Sequence, residues 1–257
     1  MAHRVYISAS TQKANIGVGQ YGTEQDRMQF LADRIKYWLE TQRGQFIVFR
    51  NEPGWTLKQT VDHCNSLACE MFLDNHTNAG TKEKEAGDGG AEGTSIFYSG
   101  RMGVGSNSYK LASAIYKQVA PLSPGKDRGV DPDTSLYDSG LYVIRNTKPP
   151  ATLIEHFFHT NYGEVEYYLK HVDDFAKATA KGICDFFDIT WLEACISSGG
   201  IHVIVNGVDI DASMDVKASM IDGRVVVPVR FVAEALGCTV TWDNKTKTVT
   251  LTSKEVK

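Results

Sequence analysis

Short apolar runs alternate with amphipathic stretches over the first 190 residues of the chain, and this alternation is the strongest constraint on its fold. Residues 4–8 alternate as a strand does, and from Thr23 onward apolar residues recur on one helical face until Gly44. The same signals predict strands at 46–49, 70–73, 95–98 and 152–157, and helices at 57–67, 109–119 and 165–187. The pattern predicts an α/β fold: a mostly parallel central sheet flanked by helices on both faces, with functional groups at the carboxyl ends of the strands.

A Ser-Ser-Gly-Gly run at 197–200 interrupts this alternation in the way that linkers do. Beyond it the periods shorten, with Asn-Gly and Asp-Gly turns between strand-like runs and one short helical stretch. We therefore expect a main domain at 1–190, a linker at 191–200 and a small β-rich α+β C-terminal domain at 201–257.

Composition argues against several kinds of partner. The net charge of −4 gives no electrostatic basis for binding nucleic acid, and no apolar stretch reaches the roughly 18–20 residues of a membrane span. The five cysteines lack C-x-x-C spacing, which disfavours a disulfide framework or a thiolate zinc site. The first residues have no apolar signal-peptide core, so we expect the chain to be made in the cytoplasm.

Residues 17–22 fit the pattern G-x-G-x-x-G, which binds dinucleotides when it directly follows a strand. Here several residues separate the motif from the first strand. The second strand ends in Arg50 and Asn51, where the fingerprint requires an acidic residue. A flexible loop is the favoured interpretation.

Two ionisable side chains are candidates for a functional site. Glu24 precedes Met28 by four residues and so falls on the apolar face of the first helix, although an acid is also favoured in a first turn after an N-cap such as Thr23. His76 comes just after a predicted strand, at the edge where ligands collect.

The segment TLIEHFFHTN at 152–161 adds two further candidates. Strand alternation places Glu155 and His159 on one side and His156 on the other. Together with Glu24 and His76 this gives two imidazoles and two carboxylates, the ligand types and number of a catalytic zinc with an open position and an adjacent acid/base.

These residues resemble the amidase-3 family of zinc-dependent N-acetylmuramoyl-L-alanine amidases, which are bacterial cell-wall hydrolases and phage endolysins. The resemblance covers about residues 4–187 and includes Glu24, the Asn-His-Thr-Asn-Ala run at 75–79, Arg-Gly-Val at 128–130, and the Ile-Glu pair and Phe-His-Thr-Asn run within 154–161. It implies that Glu24 and His76 bind Zn²⁺ and that Glu155 is the catalytic acid/base. The implied substrate is bacterial peptidoglycan, cleaved at the amide between N-acetylmuramic acid and L-alanine.

The chain departs from the family at one ligand. Family members carry a first zinc histidine in a G-H-G-like turn after the first strand, and residues 8–12 contain none. Strand parity makes His159 the candidate for the third ligand. Gln12 and Asn15 are weaker candidates, because neutral amides bind zinc poorly.

The C-terminal segment is similar to the copper amine oxidase N-terminal-like domain over about residues 201–252, with its marks in the turns at 206–207 and 222–224 and in the runs at 227–230, 234–237 and 240–243. His202 and Cys238 alone do not make a copper site. The resemblance implies a wall-binding or assembly module, through which the chain could form a homo-oligomer.

The expected function is therefore endolysin-like lysis by an enzyme that acts on the cell wall after release from the cytoplasm. Two alternatives stay open. The chain could be a non-catalytic wall-binding protein on an amidase fold, or a zinc peptidase that cuts within the stem peptide.

Overall fold

The computed structural model describes residues 2–80, 90–192, 203–206, 208–210, 216, 218–221 and 224–253. The chain divides into two compact units, Met1–Trp191 and Leu192–Lys257. Within the described ranges, no helix is long and apolar enough to cross a membrane.

The first unit is built on a central six-stranded sheet. Its strands and the short hairpin strands are β1 (His3–Ala9), β2 (Ile16–Gly17), β3 (Gly22–Thr23), β4 (Phe46–Arg50), β5 (Met71–Asn78), β6 (Thr94–Tyr98), β7 (Asp127–Pro132) and β8 (Ala151–Phe158). The sheet order is β4-β1-β5-β8-β6-β7. Strands β4, β1, β5 and β8 run parallel to one another. Strand β6 pairs with β8 in the antiparallel sense, and β7 pairs with β6 in the parallel sense. The predicted α/β class with a mostly parallel sheet is confirmed.

Helices cover both faces of this sheet. They are α1 (Glu24–Glu40), α2 (Leu57–Ser66), α3 (Asn107–Val119), α4 (Tyr142–Asn146) and α5 (Tyr162–Phe186), with 3-10 turns at Ala120–Leu122 and Asp133–Ser135. Helix α5 packs against both α1 and α3. On the other face, Val61 of α2 and Val143 of α4 share a buried cluster with Tyr6, Phe72 and Leu153 of the sheet.

Three features of the first unit differ from the sequence expectation. Strand β5 continues beyond the apolar run to Asn78, because its polar residues find buried partners in the sheet. Strand β7 and helix α4 were not predicted. The sequence of β7, Asp-Arg-Gly-Val-Asp-Pro, is that of an edge strand with little β propensity, and α4 has only five residues.

The topology brings the carboxyl ends of β1, β5 and β8 side by side. Ala9 pairs with Asn75, and His76 pairs with Glu155. The register between β5 and β8 then shifts between His76 and Asn78. Polar residues from three strands that are distant in sequence therefore meet at one edge of the sheet, as the parallel pattern predicted.

The second unit has the β-rich α+β content that was predicted. Its described elements are the hairpin β9 (Ile204–Val205) with β10 (Val208–Asp209), the hairpin β11 (Ser219–Ile221) with β12 (Arg224–Val226), helix α6 (Val229–Ala235), and the hairpin β13 (Cys238–Asp243) with β14 (Thr248–Ser253). The Ser-Ser-Gly-Gly run of the predicted linker, His202 and the Asp-Gly turn at 222–223 lie outside the described residues.

Candidate active site

Glu24 is the first residue of α1, and its side chain points into the protein. Thr23 caps the helix by accepting a hydrogen bond from the N–H of Asp26 at 3.1 Å, so the capping role does not fall on Glu24. The fully buried Glu24 carboxylate instead lies 2.9 Å from His76 Nδ1 and accepts bonds from the N–H of Thr77 and from Asn15 Nδ2. It therefore belongs to a polar cluster.

His76 is held between two carboxylates. Asp74, two residues earlier on the same face of β5, places Oδ2 3.2 Å from His76 Nε2, and Glu24 Oε1 lies at the other ring nitrogen. Burial alone would lower the pKa of His76, but the charges and hydrogen bonds of Asp74 and Glu24 outweigh it and hold the pKa well above its usual value. Burial would likewise raise the pKa of Glu24, and the contacts with His76 and Asn15 lower it instead.

Glu155 faces the same cluster from the neighbouring strand. It pairs in register with His76, and paired residues of parallel strands share one face of the sheet. Burial and the nearby charges of Glu24 and Asp74 raise the pKa of Glu155 to about 8, although His76 lowers it. Glu155 Oε2 and Asp74 Oδ1 are both buried and have no hydrogen-bond partner among the residues that the structure describes.

His156 lies on the opposite face from Glu155, as alternation predicted. Its Nε2 is 3.0 Å from Asn75 Oδ1, and its ring packs edge-on against Phe175 of α5. Burial, with the charge of His76, lowers the pKa of His156 to about 3. A neutral imidazole with these contacts is a core residue, on the opposite face of the sheet from the acid/base cluster.

His159 has other partners than the cluster. Its Nδ1 lies 3.0 Å from Thr77 Oγ1, and its ring stacks on Tyr21, whose hydroxyl also bonds to Thr77. Among the described residues, no hydrogen bond or ion pair joins His159 to Glu24, His76 or Glu155. Its assignment as the third zinc ligand stays a prediction.

Strand parity does not place His159 beside Glu155, because the end of β8 is irregular. His156 contacts Phe175 and the next residue, Phe157, contacts Tyr168, so two consecutive side chains face the same helix, α5. Strict alternation is therefore lost at this point, and strand parity no longer relates Glu155 to His159.

The two amides that ranked lower in the sequence do lie at the cluster. Gln12 Nε2 is 3.3 Å from His76 Nδ1. Asn15 Nδ2 donates to Gln12 Oε1 at 3.0 Å and to Glu24 Oε2 at 2.6 Å. The signal that pointed to them was their position after β1, where the resemblance requires a ligand.

The residues of the site fit a divalent cation in charge and in part of its ligand set. Three carboxylates surround one imidazole, which leaves an excess of negative charge in a buried place. Asp74 on the far nitrogen of His76 is the outer hydrogen bond that metal-binding histidines use. Within the part of the chain that the structure describes, however, no group of three or more His, Cys, Asp or Glu residues is placed to hold a metal. Glu24 and His76 supply two donors of these types.

Two other sequence marks lie beside the site. Arg128 at the start of β7 lies over the ring of Phe158, 4.6 Å from its centroid, and donates from Nε to the carbonyl of Glu92. In the glycine motif, the N–H of Val18 donates to the carbonyl of His159, and a Cβ on Gly17 would lie 2.2 Å from Tyr21. Close packing of the loop against Tyr21 therefore accounts for the glycine at position 17.

The fold defines the class of protein. The catalytic domain of CwlV, an N-acetylmuramoyl-L-alanine amidase from Bacillus (Paenibacillus) polymyxa var. colistinus, superposes with a TM-score of 0.60 over 73% of this chain and 99% of that one, at 23% identity. This chain therefore has the fold of a peptidoglycan amidase. The N-acetylmuramoyl-L-alanine amidase family matches residues 5–185, and the chain belongs to that family.

Proteins of Bacillus subtilis are similar to this chain in sequence. The uncharacterized protein YqiI of Bacillus subtilis is 27% identical over 192 residues, which span 72% of this chain and 84% of YqiI. The N-acetylmuramoyl-L-alanine amidase LytC of the same organism is 26% identical over 132 residues, 51% of this chain but only 24% of LytC. The copper amine oxidase N-terminal domain family matches residues 196–257.

Proposed function

We propose that this chain hydrolyses the amide bond between N-acetylmuramic acid and L-alanine in bacterial peptidoglycan, with a bound Zn²⁺. The observation that carries the proposal is the buried cluster of Glu24, His76 and Glu155 at adjacent strand ends of an amidase-family fold. Membership of the family supports the reaction, and the excess of carboxylates over imidazole in the cluster supports the cation.

In this proposal Glu24 and His76 hold the metal. When bound, Zn²⁺ supplies Lewis-acid polarisation of the scissile carbonyl. Asp74 keeps the His76 ring oriented through Nε2, so that Nδ1 faces Glu24. Holding both donors on rigid elements, the start of α1 and the end of β5, fixes the position at which the substrate carbonyl is bound.

Glu155 is the proton carrier. It takes a proton from the attacking water and gives it to the leaving amine of L-alanine. Its pKa of about 8 in the cluster is set by burial and by the neighbouring carboxylates, and a bound cation would lower this pKa. A carboxyl group with a pKa near neutral both accepts and donates protons at the pH of the reaction.

The wider role is proposed on the family resemblance. The chain is made in the cytoplasm and acts on the cell wall after release, in the manner of an endolysin. The unit that matches the copper amine oxidase N-terminal domain binds the wall or assembles copies of the chain.

A second candidate function follows from the incomplete ligand set. A protein that kept the fold and lost the metal would bind peptidoglycan without cleaving it, and the absence of a third His, Cys, Asp or Glu ligand among the described residues favours this alternative. Metal analysis of the purified protein separates the two, because the wall-binding alternative requires neither zinc nor turnover.

Digestion of purified peptidoglycan, followed by mass analysis of the products, tests the proposed reaction. We expect glycan strands freed of peptide, together with new L-alanine amino termini. Glu155→Gln should lower the rate by at least about 100-fold and leave the metal content unchanged. Glu166→Gln, an exposed glutamate on α5, is the matched control and should retain the parent rate. New reducing sugars would show a glycosidase, and cuts inside the stem peptide would show a peptidase; either result rejects the proposal.

A further inference from the structure

The loop after β1 places an amide where a third metal donor is needed. A catalytic metal with an open position takes three protein donors, and Glu24 with His76 provides two. Gln12 is the residue of this loop whose side chain reaches His76, with Nε2 3.3 Å from Nδ1. The N–H of Gln12 donates to Ser10 Oγ, which holds the backbone of the loop beside the strand end.

Asn15 connects Gln12 to Glu24. Its Nδ2 donates to Gln12 Oε1 and to Glu24 Oε2, so one amide orients both oxygens. Outer hydrogen bonds of this kind orient metal ligands in proteins. An amide oxygen has two lone pairs, and Gln12 Oε1 keeps one of them after accepting the bond from Asn15.

We propose that the amide oxygen of Gln12 is the third protein ligand of the metal held by Glu24 and His76, and that Asn15 positions it. This inference rests on the proposed function for the presence of the metal. Gln12 is exposed, so a cation beside it is accessible from solvent. The assignment leaves no ligand role for His159, whose Nδ1 bonds to Thr77 and which forms no hydrogen bond or ion pair with Glu24 or His76 among the described residues.

The amide ligand has a chemical consequence. Carbonyl oxygens suit Mn²⁺ and Mg²⁺, whereas imidazole suits Zn²⁺. A site with Gln12 therefore binds Zn²⁺ more weakly than the same site with an imidazole at that position. The preference of the Gln12 site for Zn²⁺ over Mn²⁺ is also smaller than that of a site with an imidazole at this position.

The test measures Zn²⁺ and Mn²⁺ affinity of the full chain by competition with a chromophoric chelator, and records the visible absorption of the Co²⁺ form. Gln12→Ala should weaken Zn²⁺ binding by at least about tenfold, and Gln12→His should tighten it by at least about tenfold. Gln12→His should also raise the ratio of Zn²⁺ to Mn²⁺ affinity and change the Co²⁺ spectrum. Neither readout depends on turnover.

Two control variants complete the design. His159→Ala and Gln118→Ala, the latter on α3 and bonded to Asp185, should keep the parent affinity. Far-UV circular dichroism and thermal melting establish that each variant is folded.

The outcomes separate the inference from the proposed function. If the parent binds Zn²⁺ and the Gln12 variants bind it equally well, or His159→Ala loses it, the ligand role of Gln12 is wrong and the amidase proposal stands. If the parent binds no divalent cation, the metal-dependent proposal fails together with this inference.

Discussion

Replacing the buried imidazole of His156 should remove a large part of the acid sensitivity of the fold. The ring is fully buried, bonded to Asn75 and packed on Phe175, and burial lowers its pKa to about 3 from the usual 6.5. In the unfolded chain this histidine binds a proton below pH 6.5, whereas in the folded protein it stays neutral. The stabilising effect is therefore complete above pH 6.5 and is lost progressively as the pH falls from 6.5 toward 3.

The size of the effect follows from the difference between the two pKa values. One pKa unit corresponds to about 1.4 kcal/mol. Between pH 7.5 and pH 5, only the unfolded chain takes up the proton, and the free energy of unfolding falls by about 2 kcal/mol through this one group. That is a sizeable part of the ~5–15 kcal/mol that stabilises a typical domain.

The assay is urea unfolding of the parent and of His156→Gln at pH 7.5, 6 and 5, with the same excess of chelator in all samples. The glutamine amide can still donate to Asn75 and does not titrate. We expect the difference in unfolding free energy between the two proteins to move by about 2 kcal/mol in favour of the variant as the pH falls. His171→Gln, at a partly exposed histidine beside Asp174, is the control and should not gain stability relative to the parent as the pH falls. Parallel curves for parent and His156→Gln, within about 0.5 kcal/mol, would refute the reasoning.

Two further outcomes test the framework around the site. Glu164, buried in the first turn of α5, accepts the N–H groups of Gly93 and Phe158 at 2.8 Å each, so Glu164→Gln should leave one N–H without its acceptor and cost about 1–3 kcal/mol in urea unfolding. The neighbouring exposed variant Glu166→Gln should change stability by less than about 0.5 kcal/mol, and equal effects of the two would contradict the buried role of Glu164. A chain ending at Trp191 should fold cooperatively, because the first unit contains its own sheet and core. A truncated protein without a cooperative thermal transition would show that this unit depends on the second.

Periodicity predicted the long elements well, because their apolar residues face one core. Helix α1 and its cap at Thr23 follow from an apolar stripe and a side-chain acceptor that are both local in sequence. The end of β5 could not be predicted in the same way. Its last residues, Asp74 to Asn78, are polar, and their stability in a buried strand depends on partners such as Glu24, Ser8 and His156 that lie far away in the chain.

For the third ligand, ligand chemistry and strand parity both favour His159, whereas the structure places Gln12 beside His76. Ligand chemistry ranks an imidazole above an amide, and strand parity places His159 beside Glu155 if alternation continues to the end of β8. A single irregularity reverses the face of every later side chain, and His156 and Phe157 show that β8 has one. The position of Gln12, in contrast, depends on the path of a loop whose bonds, such as that from the N–H of Glu24 to the carbonyl of Asn15, leave no periodic trace in the sequence. A ligand must first lie within reach of the metal, so Gln12, a poor ligand beside His76, is a better candidate than His159, a good ligand that has no bond to His76 or Glu24 among the described residues.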